Sequence, residues 1–188
     1  MANELKGKKV AILVAKGFEQ VELTDPRQAL EDAGAKTFIV SPEESIVRGW
    51  NFTEWGDEMH VDVELDTANP GDYDALLLPG GVMNPDHLRM NPKAVEFCKA
   101  FFDTHKPVAA ICHGPWLLVE AGVLRGRKLT SWPSIRTDIV NAGGEWRDEQ
   151  VIVDNGLVTS RKPDDILAFN RKMIEEFAEG LHVRRKAS

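Results

Sequence analysis

Four short apolar runs frame this chain of 188 residues: Lys9–Val14, Thr37–Ser41, Tyr73–Leu78 and Val108–Ile111. Each is cut off by turn-forming or polar residues, and helix-length stretches separate them. Nearly continuous runs of branched and small apolar side chains read as strands buried on both faces. Strands alternating with helical patterns read as a parallel sheet. Asp25-Pro26 predicts a helix start, with Asp as the cap and Pro in the first turn, and Gly34 predicts its end. The first forty residues then form one β–α–β unit.

The same reading continues down the chain. Asn91-Pro92 caps a helix in which Val95, Cys98, Phe101 and Phe102 recur at helical spacing, so Cys98 is expected to be packing. Arg127–Ser131 reads as a short strand, Ser134–Ala142 as a helix ended by Gly143-Gly144, and Asn155-Gly156 as the turn of a hairpin. A last helix, Pro163–Phe177, carries Ile166, Leu167, Phe169, Met173, Ile174 and Phe177 as its buried stripe. Pro42–Pro70 breaks the rhythm as a surface excursion, although Val61–Leu65 alternates like a half-exposed strand. Trp50 and Trp55 in that excursion are expected to cover core or an oligomer contact. The expected architecture is a single α/β domain over residues 1–188, a mostly parallel sheet with helices on both faces.

Composition narrows the function. Hydrophobic residues make up 43% and charged residues 28%, which is ordinary for a folded chain. The net charge is 23 − 30 = −7, against a general nucleic-acid binder. The basic end, His182–Lys186, reads as a solvated tail frayed from about residue 181. The two cysteines cannot supply a disulfide framework or a four-ligand zinc site, and no further Cys or His stands at ligand spacing near Cys112. The apolar run Val10–Ala15 is too short for a signal sequence, and no stretch approaches the ~20 residues that span a bilayer. A cytoplasmic setting is expected, without membrane, nucleic acid, metal or cofactor. No glycine-rich phosphate loop follows any strand.

The chemistry concentrates in Lys106–Gly122, where Val108–Ile111 runs into Cys112-His113-Gly114-Pro115 and a helical pattern follows. A strand entering a helix through a nucleophilic residue, with glycine close behind, is the logic of a nucleophile elbow. Backbone amides and the next helix's N-terminus favour thiolate there. Ligands of open α/β sheets sit beyond the carboxyl ends of the strands. Three such ends offer Lys16–Glu22, Pro79-Gly80-Gly81 and Cys112-His113-Gly114: carboxylates, flexible amides and a thiol. His113 serves Cys112 only if the turn is irregular; otherwise it points to a carboxylate or packs. Glu19 and Glu22 compete as the acid of the first loop.

The runs Ala109–Pro115, Gly17–Leu23, Leu78–Gly81, Ala121–Lys128 and Ile139–Trp146 together resemble the PfpI intracellular cysteine protease family. That family belongs to the ThiJ/PfpI superfamily and is related to glutamine amidotransferase domains. The resemblance covers Lys9 to Phe177 and implies a flavodoxin-like three-layer sandwich. It implies Cys112 as nucleophile, Glu19 as the acid bonded to the thiol, His113 as its neighbour, and Gly81 and His113 amides as oxyanion donors. Asp86 takes the place of an acid lent by an adjacent subunit, with a shorter side chain. A homodimer or larger homo-oligomer follows, with a peptide or a small aldehyde as substrate. The implied activity is a cysteine-dependent hydrolase or peptidase of the stress response. Two alternatives use the same residues: a glyoxalase or deglycase acting on methylglyoxal or its protein adducts, and a redox sensor or holdase that works by oxidation of Cys112.

Overall fold

The computed structural model of the chain describes residues 3–182. In chain order the elements are β1 (Lys9–Leu13), α1 (Gln20–Asp32), β2 (Lys36–Ser41), β3 (Ile46–Asn51), β4 (Glu54–His60), β5 (Val63–Glu64) and β6 (Ala75–Leu78). There follow α2 (Met83–Arg89), α3 (Pro92–Asp103), β7 (Val108–Ile111), α4 (Pro115–Glu120), β8 (Lys128–Leu129) and α5 (Arg136–Asn141). The chain closes with β9 (Glu145–Trp146), β10 (Val151–Asp154), β11 (Leu157–Ser160) and α6 (Ile166–Glu179).

Seven strands form one sheet in the order β10-β11-β7-β6-β1-β2-β5. Every pairing is parallel except β10 with β11. Alternate side chains of the central strands face opposite ways, so each strand must be apolar on both faces. Ala11, Leu13, Leu76 and Leu78 pack against Cys98 and Phe101 of α3 and Leu117 of α4. Val10, Ile12, Leu77 and Ala109 pack on the other face against Leu23 of α1 and Phe169 and Phe177 of α6. The result is the flavodoxin-like three-layer sandwich. Registers Ile12↔Leu77 and Leu77↔Ala109 bring the carboxyl ends of β1, β6 and β7 side by side.

The antiparallel hairpin β10–β11 turns at Asn155 and Gly156, both at positive φ (49° and 83°), as a tight Asn-Gly turn requires. The helix capped by Asn91 is present, its side chain accepting from Lys93 N–H at 3.0 Å. Other expectations fail for identifiable reasons. α1 begins at Gln20, so Pro26 lies inside the helix instead of opening it. Leu167 of the last helix is 85% exposed, because it falls off the stripe made by Ile166, Phe169, Met173 and Phe177. The strand expected at Arg127–Ser131 is only β8, which pairs with β9 in a separate two-stranded ladder.

The excursion is a hairpin, β3–β4, whose Trp50 and Trp55 meet edge to face at 5.3 Å. It is stitched to the loop after β1 by Gly17 N–H to Arg48 O (2.8 Å) and Trp50 N–H to Phe18 O (2.7 Å). Gln20 adds two bonds, donating to Asp57 Oδ2 at 2.9 Å and accepting from Asp57 N–H at 2.7 Å. His182, placed in a frayed tail by composition, is docked, its N–H donating to His105 O at 2.9 Å. The basic residues beyond it lie outside the described residues. Among the described residues, no helix is long and apolar enough to cross a membrane.

Candidate active site

The elbow is real and strained. β7 ends at Ile111, and Cys112 takes φ 60°, a conformation rare for a residue with a side chain. Its N–H donates to Ser160 O of the neighbouring strand at 3.0 Å, and its carbonyl accepts from Trp132 N–H at 2.8 Å. The backbone is thus held from both sides while the side chain is thrown out beyond the sheet. This irregularity lets neighbouring side chains meet: Cys112 Sγ lies 3.2 Å from His113 Nδ1. On the other side of the ring, His113 Nε2 lies 3.1 Å from Ser134 Oγ. Which nitrogen carries the proton depends on the tautomer.

The turn after β6 closes on the elbow from above. A Cβ at Gly80 would stand 2.5 Å from Glu22 Oε2 and 2.7 Å from Cys112 Cβ, so only glycine fits between the acid and the thiol. Gly114 approaches as closely, its hypothetical Cβ 2.5 Å from Leu78 O. Buried Asn84 locks the strand ends together. Its Oδ1 accepts from Ala15 N–H at 2.7 Å, and its Nδ2 donates to Pro79 O and Gly80 O at 2.9 and 3.1 Å. The backbone N–H groups of Gly81 and His113 lie close enough to the Cys112 sulfur to favour its thiolate.

The acid beside the thiol is Glu22, not Glu19. Glu22 is fully buried on the first turn of α1; its Oε2 accepts from Gly80 N–H at 2.9 Å. The carboxyl lies close enough to the Cys112 thiol for the two to influence each other's ionisation, and Oε1 is buried without a hydrogen-bond partner. Glu19 stands at the N-cap position of the same helix without capping it and faces the hairpin, its Oε1 accepting from Phe52 N–H at 3.2 Å. The reason lies in where α1 begins. With Gln20 as first residue, positions 22, 26 and 30 share a helix face, and Glu22, Pro26 and Leu30 are all buried. A helix started at Asp25 leaves both acids in a loop and hides that face. The signal that finds Glu22 is its i, i+4, i+8 spacing to Pro26 and Leu30.

Burial dominates the electrostatics. It pushes the Glu22 carboxyl up to about 8, against which the Gly80 amide pulls weakly. Glu22 therefore holds its proton at neutral pH. Burial also holds the His113 imidazole down to about 4, so that ring is neutral. The Cys112 thiol is pushed up, first by burial and then by the charge of an ionised Glu22; the Gly81 and His113 amides pull it down. With the proton on Glu22 the charge repulsion disappears, and the carboxyl O–H becomes a donor to sulfur. The helix that was expected to favour thiolate contributes little, because α4 is only six residues long.

A cavity of about 680 Å³ opens over Cys112, walled by Trp50 and Phe52 of the hairpin and by Trp132. Trp132 stacks on His113 with centroids 6.0 Å apart. Trp50 thus lines a cavity as well as packing against Trp55. Lys162 and Asp164 at the rim pair with each other at 3.0 Å. Asp86 is exposed on α2 and does not line this cavity. Cys98 is fully buried in the α3 layer.

The family model described as the DJ-1/PfpI family matches residues 8–176. The chain belongs to the DJ-1/PfpI family. Among its relatives, Deglycase PH1704 of Pyrococcus horikoshii is 45% identical over 167 residues, covering 89% of this chain and 98% of the relative. General stress protein 18 of Bacillus subtilis is 46% identical over 170 residues, covering 89% and 96%. Putative cysteine protease YraA of the same organism is 42% identical over 168 residues, with the same coverage. Among solved structures, a two-domain protein with DJ-1/ThiJ/PfpI-like and ferritin-like domains from Anabaena variabilis superposes with a TM-score of 0.84 at 34% identity. The match covers 89% of this chain, which spans about half the length (47%) of that two-domain protein. The expected fold and DJ-1/PfpI membership both hold.

Proposed function

We propose that the chain is a cysteine-dependent hydrolase that releases an amine from a carbonyl-derived carbon, with carbonyl adducts on amine side chains as its substrates. Cys112 is the nucleophile. His113 Nδ1 takes the thiol proton and returns it to the leaving amine, and protonated Glu22 donates a hydrogen bond to the sulfur. The Gly81 and His113 amides, which lie beside the sulfur, hold the adduct oxygen as charge builds on it when the thiolate bonds to the carbon bearing nitrogen. The C–N bond of the adduct breaks with the protonated nitrogen leaving as amine, and the carbon stays on sulfur as a hemithioacetal; a proton shift to the neighbouring carbonyl carbon gives a thioester, which water cleaves to a hydroxy acid and the free thiol.

The observation that carries this reading is the position of the thiol: Cys112 is 7% exposed, at the floor of a cavity with aromatic walls. A side chain tipped with an adduct reaches that floor. A main-chain amide does not, since both flanking segments would have to descend with it. A free two- or three-carbon aldehyde fills little of a cavity whose size suits drug-sized ligands. The names of the relatives include both a deglycase and a putative cysteine protease, and the buried thiol favours the first chemistry. An adjacent copy of the chain bringing Asp86 to the His113 side is a further part of this reading. So are a cytoplasmic setting and a place in the stress response.

The test compares native protein with Cys112→Ser on three probes: a lysine peptide pre-treated with methylglyoxal, free methylglyoxal, and casein. Amine release from the treated peptide by the native protein alone is the expected result. Casein cleavage without amine release would make the protein a peptidase. Oxidation of Cys112 by mild peroxide with no turnover of any probe would make it a sensor.

A further inference from the structure

The His113 ring has two nitrogens, and the proposed chemistry uses only the one facing sulfur. The other is already occupied within the same chain: Nε2 lies 3.1 Å from Ser134 Oγ. The segment carrying Ser134 is held against the elbow by several independent contacts. Trp132 N–H donates to Cys112 O at 2.8 Å. Ser131 Oγ donates to Trp132 O at 2.9 Å and accepts from Trp146 Nε1 at 3.0 Å. Pro133 opens a short 3₁₀ turn, and Ile135 at its end is buried. The Trp132 ring stacked on the imidazole leaves His113 little freedom to rotate away. Ser134 itself is exposed, so its hydroxyl joins the imidazole to solvent.

We propose that Ser134 is a positioning residue that sets the tautomer of His113: its oxygen accepts from Nε2–H, leaving the Nδ1 lone pair to take the thiol proton. The chain Cys112–His113–Ser134 then has the logic of a nucleophile, a base and a group that orients the base. Proton movement balances along it. The thiol proton goes to Nδ1, the Nε2 proton to Ser134 Oγ and the serine hydroxyl proton to water; the same path runs backward when Nδ1 gives its proton to the leaving amine, so neither imidazolium nor imidazolate accumulates.

The experiment uses Ser134→Ala and Ser134→Thr in the full chain. Long-range proton–nitrogen NMR reads the His113 tautomer, and iodoacetamide reads the Cys112 thiol at pH 7. In the native protein, His113 is expected as the Nε2–H tautomer. The alanine variant is expected to show a mixture of tautomers and alkylation slower by about 3- to 10-fold, the loss of one hydrogen bond. Threonine, which keeps the hydroxyl, restores both, and thermal melting of the exposed alanine variant stays native. An unchanged tautomer and alkylation rate in Ser134→Ala would overturn the proposal, as would a threonine variant no better than alanine. Although the role serves the proposed hydrolase, these readouts need no substrate. Should the native protein release no amine from the adduct peptide while Ser134→Ala still changes both, the hydrolase reading falls and the serine assignment stands.

Discussion

Glu22 and Cys112 meet beneath the Pro79–Gly81 turn, a fully buried acid against a cysteine that is only 7% exposed. Neither group is comfortable ionised there without the other, because burial disfavours both charges. The arrangement works because the pair can hold one negative charge and one proton between them: thiolate beside carboxylic acid. Gly80 makes the contact possible by standing between them without a side chain.

That burial has a signature in stability. The Glu22 carboxyl is raised from 4.5 to about 8 on folding, so between those pH values the folded chain binds more protons than the unfolded one. Stability therefore falls as pH rises through that window. His113, held down to about 4 from 6.5, acts oppositely: its contribution grows as pH rises toward 6.5 and is flat above. Of these two slopes, that of Glu22 persists from pH 6.5 to about 8. Urea melts of Glu22→Gln, neutral throughout, should lose that slope, worth roughly 2 kcal/mol across the interval. Parallel slopes in native and variant would show that Glu22 is ionised in the folded protein.

Glu19 has a different task. Its bond to Phe52 N–H holds the tip of the β3–β4 hairpin, where Phe52 sits at φ 54°, over the cavity. Glu19→Ala should raise KM for the adduct peptide by several fold, with kcat and Cys112 alkylation near native, at a cost in stability of about 1 kcal/mol. A fall in kcat with KM unchanged would place Glu19 in the chemistry instead.

Gly80→Ala should disable the site outright. The added methyl would press on Glu22 Oε2, Cys112 Cβ and Ile111 O, all within 2.8 Å. Overpacking of this kind costs about 1–3 kcal/mol, and here the strain falls on the thiol–acid contact. Loss of turnover in a variant that still melts cooperatively is the expected outcome; native turnover would show that the turn has slack.

The two thiols should separate cleanly under mild peroxide. Cys98 is fully buried among apolar side chains, which pushes its thiol up and out of reach. Intact mass and peptide mapping should find oxygen added at Cys112 alone. Oxidation of Cys98 at a comparable rate would mean that the α3 layer opens readily.

The sheet was legible because its central strands are apolar on both faces and end in turn residues with one physical solution each: Pro79-Gly80-Gly81, Cys112-His113-Gly114 and Asn155-Gly156. The acid was not, because Pro26 imitates a helix start while sitting inside α1, and that one misplacement moves Glu22 from a buried face to a loop. Ser134 and Trp132 left no local trace. They reach His113 from 21 and 19 residues away through a tertiary fold, and nothing in their own neighbourhood announces it. Trp50 and Phe52 look alike in sequence whether they cover core or wall a cavity; only the bonds joining the hairpin to Gly17–Gln20 decide.

The pH dependence of Cys112 alkylation in Glu22→Ala, Glu22→Gln and Glu19→Gln tests the central assignment most directly. Without a donor at position 22 the thiolate loses a charge-assisted hydrogen bond, so Glu22→Ala should react about 10- to 100-fold more slowly at pH 7. Glu22→Gln, which keeps an N–H, should fall between, and Glu19→Gln should titrate like the native protein. A native profile in Glu22→Ala, or a shift in Glu19→Gln as large as that of Glu22→Ala, would contradict the pairing of Glu22 with Cys112.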